Sequence, residues 1–261
     1  MEGRSMSSTA LQEWLAGAAG QRLLAFERTL FEEHLAGVFG YHALQLGLPA
    51  IDALAASPIA HRWLALSALP DTDSEEKAAE HLLQPSRVAL LALPQALPFA
   101  ESSLDLVVLP HTLELCGDAH ATLREVQRVL APEGKVAITG INPWGVWGWR
   151  QQRVRLWRRM GLHPAPWLPP GTRLLAHWRL CDWLRLLGFE VDAVHFGCSL
   201  PALGQRYAPA LGAVYFILAT RRVYGVRPLR SGWRRTRAAP LGATAPSAAS
   251  SSAPQKVPAD E

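Results

Sequence analysis

A strand, an amphipathic helix and a second strand follow one another within residues 104–140, and this unit constrains the fold most. LDLVVLP, from Leu104, has the length and β-branched content of a buried strand. ATLREVQRVL, from Ala121, repeats its apolar residues at helical spacing, and the turn APEG separates it from the strand KVAITG. A strand–helix–strand unit with short connections has parallel strands. The segment therefore predicts an α/β domain on a mainly parallel sheet.

Further apolar runs of strand length lie on both sides of this unit. They are HALQLGLP from His42, HRWLALSAL from His61, SRVALLAL from Ser86, VDAVHF from Val191 and AVYFILATRR from Ala213. The last two follow each other closely, so we expect an antiparallel pair at the edge of the sheet. Residues 141–171, rich in glycine and proline, predict loops, and TRLLAHWRLCDWLRLLGF, from Thr172, predicts a helix that Gly188 ends.

Composition divides the chain into three predicted segments. Residues 1–35 form an N-terminal helical cap, within a helical pattern that spans residues 9–38. Residues 36–225 carry the predicted strands and form the α/β domain. Residues 226–261, rich in arginine and then in alanine, serine and proline, predict a disordered basic tail, because they hold too little apolar surface to order themselves.

The net charge of +4 is unevenly distributed. Twelve arginines lie in two clusters, at Arg150, Arg153, Arg155, Arg158 and Arg159, and at Arg221, Arg222, Arg227, Arg230, Arg234, Arg235 and Arg237. The rest of the chain has 14 basic against 22 acidic residues and is mildly acidic. Such basic segments are typical of contacts with nucleic acid or acidic lipid, and equally of plain solvated surface.

Targeting and metal-site signals are weak. No apolar run is long enough to span a membrane, and the N-terminal residues make a poor signal peptide. The three cysteines, Cys116, Cys181 and Cys198, are far apart and form no CxxC pair. We therefore expect a reduced, cytoplasmic environment and no metal site.

Residues 96–143 resemble the central block of class I S-adenosylmethionine-dependent methyltransferases of the type 11 methyltransferase domain kind. The motifs that carry the resemblance are Leu97-Pro98-Phe99, Asp105-Leu106-Val107, Arg128-Val129-Leu130, Pro132 and Gly134. The resemblance implies a Rossmann-like fold, S-adenosylmethionine as cofactor and methyl transfer to an acceptor that it does not identify. It also implies that the cofactor binds at the carboxyl ends of the strands, next to Gly47, Ser67, Leu93, Gln95, Ala96, Leu97, Pro110 and His111.

Three of these positions depart from the family pattern. The glycine-rich turn is reduced to Gly47-Leu48-Pro49. Ser67 and Leu93 stand where the family has carboxylates for the ribose and the adenine, with Gln95 and the backbone of Ala96 and Leu97 nearby. A hydrogen bond to a charged group contributes about 1.5–3 kcal/mol, so two losses weaken binding by roughly a hundredfold or more. A non-catalytic methyltransferase-fold protein that holds a partner with its basic segments therefore stays open as the alternative. A nicotinamide-dependent oxidoreductase is disfavoured, because no GxGxxG follows the first strand.

Two residues are candidates for catalysis, and each has a structural alternative. His111 is either a general base or a loop histidine that hydrogen-bonds the backbone. Asn142 either orients a substrate or caps the turn before Pro143. Glu114 faces either the pocket or solvent. The tryptophans of the segment PWGVWGWR either cover an acceptor or pack a basic helix onto the sheet; they are Trp144, Trp147 and Trp149.

Overall fold

Seven strands form one mixed sheet in the computed structural model of the chain, which describes residues 14–67, 88–160, 172–197 and 212–223. The strands are β1 (His42–Leu46), β2 (His61–Leu66), β3 (Val88–Leu91), β4 (Leu104–Pro110), β5 (Leu130–Ile141), β6 (Phe189–Gly197) and β7 (Val214–Arg221). The described helices are α1 (Ala18–Leu35), α2 (Thr112–Leu115), α3 (Ala119–Val129), α4 (Val146–Arg159) and α5 (His177–Leu186).

The strand order is β3-β2-β1-β4-β5-β7-β6, and the first five strands of this order are parallel to one another. The predicted mainly parallel sheet is therefore confirmed. The order reverses between β1 and β4, which are neighbours although they are far apart along the chain. In open α/β sheets, ligands bind outside the carboxyl ends of the strands at such a reversal. We call this side of the sheet the carboxyl edge.

The last two strands form the predicted antiparallel pair at one end of the sheet. β7 is antiparallel to β5 and also to β6. The antiparallel strand is therefore second from the end, and β6 is the outermost strand. β7 is almost entirely buried, as expected of a strand with a neighbour on each side.

The core consists of two apolar layers, one on each face of the sheet. Leu106 and Val108 of β4 belong to one layer, and Val107 and Leu109 belong to the other. This alternation follows from the period of two residues along a strand. The first layer is completed by α1 and the loop after β1, and the second by α3 and α5. Helices thus cover both faces, as a parallel sheet requires.

The prediction of loops over residues 141–171 is wrong for the part that forms α4. Trp147, Gln151 and Val154 recur at helical spacing, and each is at least half-buried, so packing supports a helix despite the local glycines. Residues 161–171 lie outside the described part of the chain. The helix predicted from Thr172 begins only at His177, and residues 172–176 are irregular.

The predicted N-terminal helix is confirmed as α1, although residues 1–13 lie outside the described part. Its apolar face packs into the core layer that it shares with β1 and β4. The segment boundaries at residues 35 and 225 stay predictions, and the predicted tail also lies outside the described residues. None of the described helices is long and apolar enough to cross a bilayer.

Gly140 in β5 is required by close packing on β7. A Cβ atom there would lie 2.4 Å from the hydroxyl oxygen of the buried Tyr215. We expect Gly140→Ala to lower the free energy of unfolding by about 1–3 kcal/mol, the usual cost of overpacking, as measured by urea denaturation. Gly37→Ala is the matched control, because a Cβ there meets nothing within 4 Å. Equal stability of the two variants would contradict this account.

Candidate functional site

The ends of β1 and β4 meet at the carboxyl edge through Gly47 and Thr112. Gly47 follows β1 with a φ of 72°, in the left-handed region that favours glycine. The Thr112 hydroxyl donates a hydrogen bond to the carbonyl of Leu46, the last residue of β1. A Cβ on Gly47 would lie 3.3 Å from the Thr112 hydroxyl oxygen. The single glycine of the reduced turn therefore lets the backbone after β1 pack closely against Thr112.

A buried amide, Gln45, holds the loop after β1 in shape. Its Nε2 atom donates to the carbonyls of Leu48 at 3.0 Å and Ile51 at 2.8 Å. Its Oε1 atom accepts from the backbone N–H of Ala53 at 3.1 Å. The loop over residues 47–60 contains no helix, so these bonds replace the regular backbone pairing that a helix would supply.

The ends of β2 and β3 present neutral side chains at the carboxyl edge. Ser67 follows β2 and is exposed, Leu93 is half-exposed, and Gln95 is partly buried. Ala96 donates its backbone N–H to the carbonyl of Leu93, which forms a tight turn after β3. Within the described part of this edge, the positions predicted for the ribose and the adenine therefore offer a hydroxyl, an apolar surface and an amide.

The backbone of Leu97 is engaged inside the protein. Its N–H donates to Glu125 Oε1 at 2.8 Å, and its carbonyl accepts from Arg128 Nη2 at 3.2 Å. The N–H of Ala96 is likewise engaged in the turn with Leu93. The backbone N–H groups of Ala96 and Leu97 are therefore both engaged within the protein.

A buried charged cluster lies directly after β4. His111 follows the buried Pro110 and has a left-handed φ of 52°. Its Nδ1 lies 2.9 Å from Glu114 Oε2, and its Nε2 lies 2.8 Å from Glu27 Oε1 on α1. All three side chains are at least 98% buried. The Glu27 contact has ion-pair distance but not the angle of a directed hydrogen bond. We call these three residues the His111 cluster.

Electrostatics favour an imidazolium in the His111 cluster. Burial alone lowers the pKa of His111, but the carboxylates of Glu27 and Glu114 outweigh it and raise the pKa from 6.5 to about 10. Burial raises the pKa of Glu114, and the nearby imidazole and the N–H of Ile141 oppose that rise. A doubly protonated ring between two carboxylates has no lone pair for a substrate proton. The geometry therefore favours a role in holding the end of β4.

Asn142 is fully buried and joins β5 to its neighbours. Its Nδ2 donates to the carbonyl of Gly212 at 3.0 Å, and its Oδ1 accepts from the N–H of Trp144 at 3.1 Å. Its backbone N–H donates to Ala213 just before β7. These contacts match the cap described as its structural alternative.

Of the three tryptophans after β5, one packs against the domain and two are exposed. Trp147 is partly buried and meets Trp14 edge to face, with 5.4 Å between ring centroids. Trp144 and Trp149 are largely exposed. Packing thus accounts for one tryptophan and leaves the other two at the surface.

Glu27, Gln45 and Thr112 were not among the residues predicted from sequence. Glu27 stands among Leu23, Leu24, Leu30 and Phe31 on the apolar face of α1, and that pattern signals a buried carboxylate in need of a partner. Gln45 likewise interrupts an apolar strand. The bridge from Thr112 to β1 has no comparable signal, because it depends on strand pairing.

Part of the chain is similar in sequence to a known family. Residues 55–138 match a sequence model of a family described as a methyltransferase domain. This span runs from the loop after β1 into β5 and includes most of the segment that resembles the type 11 family. Residues 55–138 are thus similar in sequence to the methyltransferase domain family, and the strand order shows the class I, Rossmann-like fold.

One curated relative is similar to about half of the chain. A protein of Escherichia coli K12, the uncharacterised protein YafS, is 37% identical over 141 residues, which cover 52% of this chain and 55% of YafS. The chain thus matches about half the length of this curated relative.

Solved structures show the same fold at low identity. An S-adenosylmethionine-dependent methyltransferase of Thermotoga maritima is 17% identical, with a TM-score of 0.55 over 77% of this chain and 92% of that chain. A Haloferax volcanii chain, from a complex with the Trm112 methyltransferase activator, is 14% identical, with a TM-score of 0.60 over 84% and 99%.

The family match implies S-adenosylmethionine as the cofactor, and the described carboxyl edge presents neutral groups where the cofactor is expected. Gly47 leaves the β1–β4 junction free of a side chain, and Ser67 and Leu93 are accessible at the neighbouring strand ends. Neither of these last two positions carries a carboxylate. Within the described residues, the edge thus supplies apolar surface and neutral hydrogen-bonding groups.

Gln45→Met tests whether the buried amide holds the loop after β1. The variant leaves two carbonyls and one N–H without their partner, so we expect the free energy of unfolding to fall by about 3 kcal/mol. Urea denaturation measures this, and faster hydrogen exchange at Ala53 locates it. Gln152→Met replaces an exposed residue of α4 and is the control. It should change stability by less than about 0.5 kcal/mol. A similar loss in both variants would contradict the assignment.

The protonation of His111 is directly measurable by NMR of the chain labelled with ¹⁵N-histidine. We expect the His111 ring to remain doubly protonated at pH 8, and Glu27→Gln to lower its pKa because one anionic neighbour is removed. Glu32→Gln, on the exposed side of α1, should leave it unchanged. Protonation of His111 stabilises the fold fully below pH 6.5, and this contribution is lost as the pH rises toward about 10. A His111 pKa at or below 6.5 would refute the ion-pair account.

Proposed function

We propose that this chain transfers a methyl group from S-adenosylmethionine to an acceptor. The observation that carries the proposal is the junction of β1 and β4, where the left-handed turn at Gly47 meets Thr112 at the reversal of strand order. Ligands bind at this place in open α/β sheets. The match of residues 55–138 to a methyltransferase domain supports the same conclusion.

Four residues of the carboxyl edge would hold the cofactor, which supplies an electrophilic methyl group on a sulfonium when bound. Gly47 would leave room for the amino acid end. Ser67 would offer its hydroxyl to the ribose, and Leu93 would cover one face of the adenine. Gln95 would give a neutral hydrogen bond in place of the carboxylate of the family. Such contacts hold the donor in line with an acceptor, and positioning of this kind can supply most of the rate of a displacement.

The two catalytic candidates, His111 and Asn142, are better assigned as positioning residues. His111 has a carboxylate at each ring nitrogen, and Asn142 uses its amide to cap the turn after β5. Neither arrangement offers a general base. His111 would fix the end of β4, and Asn142 would fix the end of β5. The acceptor would then lie against these two strand ends.

We propose a cytoplasmic setting and assign no particular acceptor. Cys116 and Cys181 are both free thiols, which supports a reducing, cytoplasmic environment. A contact with nucleic acid through the arginine segments stays a prediction. The comparisons lend no support to the alternative of a non-catalytic protein that only holds a partner.

Ser67→Asp tests the proposal by restoring a carboxylate at the end of β2. We expect it to tighten S-adenosylmethionine binding about tenfold, because a charge-assisted hydrogen bond contributes roughly 1.5–3 kcal/mol. Isothermal titration of the cofactor and of S-adenosylhomocysteine measures this. Ser67→Asn, similar in size but uncharged, is the control and should leave the affinity within about threefold of wild type.

Wild-type protein that binds neither ligand at about millimolar concentration, the weak end of specific affinities, would overturn the proposal. Binding that Ser67→Asp leaves unchanged would keep the cofactor but remove Ser67 from the ribose position. Methyl transfer itself is then tested by release of S-adenosylhomocysteine with candidate acceptors.

A further inference from the structure

The helix α4 combines basic and large apolar side chains on its exposed side. Its 14 residues contain five arginines and no acidic residue. Trp149, Arg153, Leu156 and Met160 follow one another at spacings of four, three and four residues, so they share one side of the helix and its end. Trp157 lies beside them. We call these five residues the α4 exposed face.

Solvent exposure of this face is high for such side chains. Trp149 is 62% exposed, Leu156 is 55% exposed and Met160 is 62% exposed. The guanidinium carbon of Arg153 lies 5.1 Å from the ring centroid of Trp157. The opposite side of the helix packs inward through Trp147, Gln151 and Val154. The apolar residues of the exposed face are therefore unburied although α4 is already anchored to the domain.

We propose that α4 docks on an anionic phospholipid surface. Helices that lie in a membrane interface place tryptophan and leucine among the lipid chains and keep basic residues at the headgroups. Tryptophan prefers this interface, and an arginine stem can lie along apolar surface while its charge stays in water. α4 has both features together. It is also far too short and too charged to span a bilayer, so binding would be peripheral.

The charge of α4 and the chemistry of its exposed side chains favour lipid over nucleic acid as the anionic partner. A helix without acidic residues complements a plane of negative headgroups, whereas the remainder of the chain outside the arginine clusters is acidic. Nucleic acid would use the arginines and stack on the tryptophans, but it offers no apolar surface for Leu156 and Met160. A bilayer accommodates all of these side chains at once. The inference is independent of the proposed methyl transfer, because vesicle binding requires neither cofactor nor turnover.

Flotation of the full chain with lipid vesicles tests the inference. We expect binding to phosphatidylcholine vesicles that contain about 30% phosphatidylglycerol, weak binding to pure phosphatidylcholine, and weakening at high salt. The double variant Trp149→Asp/Leu156→Asp should lower the partition coefficient about tenfold or more. Arg153→Glu should lower it about fivefold or more, since one basic side chain near an anionic surface contributes about that factor.

The matched control is Trp178→Asp/Leu186→Asp on α5, which replaces another exposed tryptophan and leucine with the same charges. It should bind vesicles within about threefold of wild type. Wild type that fails to float with anionic vesicles would overturn the inference. So would equal losses in the two double variants, or binding that the α4 variants leave intact and that must then come from other arginines. Binding to single-stranded RNA without vesicle binding would assign α4 to nucleic acid instead.

Discussion

The parallel pairing of β1 with β4 brings together the elements on which the carboxyl edge depends. Ala43, Leu44 and Gln45 pair with Leu106, Val107 and Val108. This register ends both strands at the same level, so the turn at Gly47 meets Thr112. The hydroxyl of Thr112 then closes the junction by a bond to Leu46. Without this long-range pairing, neither the glycine turn nor the loop held by Gln45 would face the rest of the edge.

The His111 cluster places charge where an α/β domain usually has apolar side chains. Isolated buried ions are costly, and removal of one partner from a buried pair typically costs about 3–5 kcal/mol. The cluster also joins three elements, because Glu27 belongs to α1, His111 follows β4 and Glu114 accepts the N–H of Ile141 at the end of β5. Apolar contacts are non-directional, whereas the hydrogen bonds of Glu114 to His111 and to the N–H of Ile141 depend on direction. We infer that the cluster fixes the ends of β4 and β5 relative to each other and to α1.

α4 carries apolar side chains both on its buried side and on its exposed side. Trp147 and Val154 are buried against the domain, while Trp149 and Leu156 on the same helix remain in water. Four residues separate the end of β5 from the start of α4, so the start of α4 lies near the carboxyl edge.

The sequence by itself determined the strands, the helix α3 and the resemblance to methyltransferases, because these depend on local period and on a continuous motif. It also located Gly47, Ser67 and Leu93 at strand ends, since parallel strands carry their carboxyl ends to one edge. It failed over α4, where glycines suggested loops and packing of Trp147 and Val154 decided for a helix. Only the tertiary structure decided the state of His111. Its two carboxylates come from α1 and α2, and their closeness in a medium of low dielectric raises the pKa of His111 and so favours the cation.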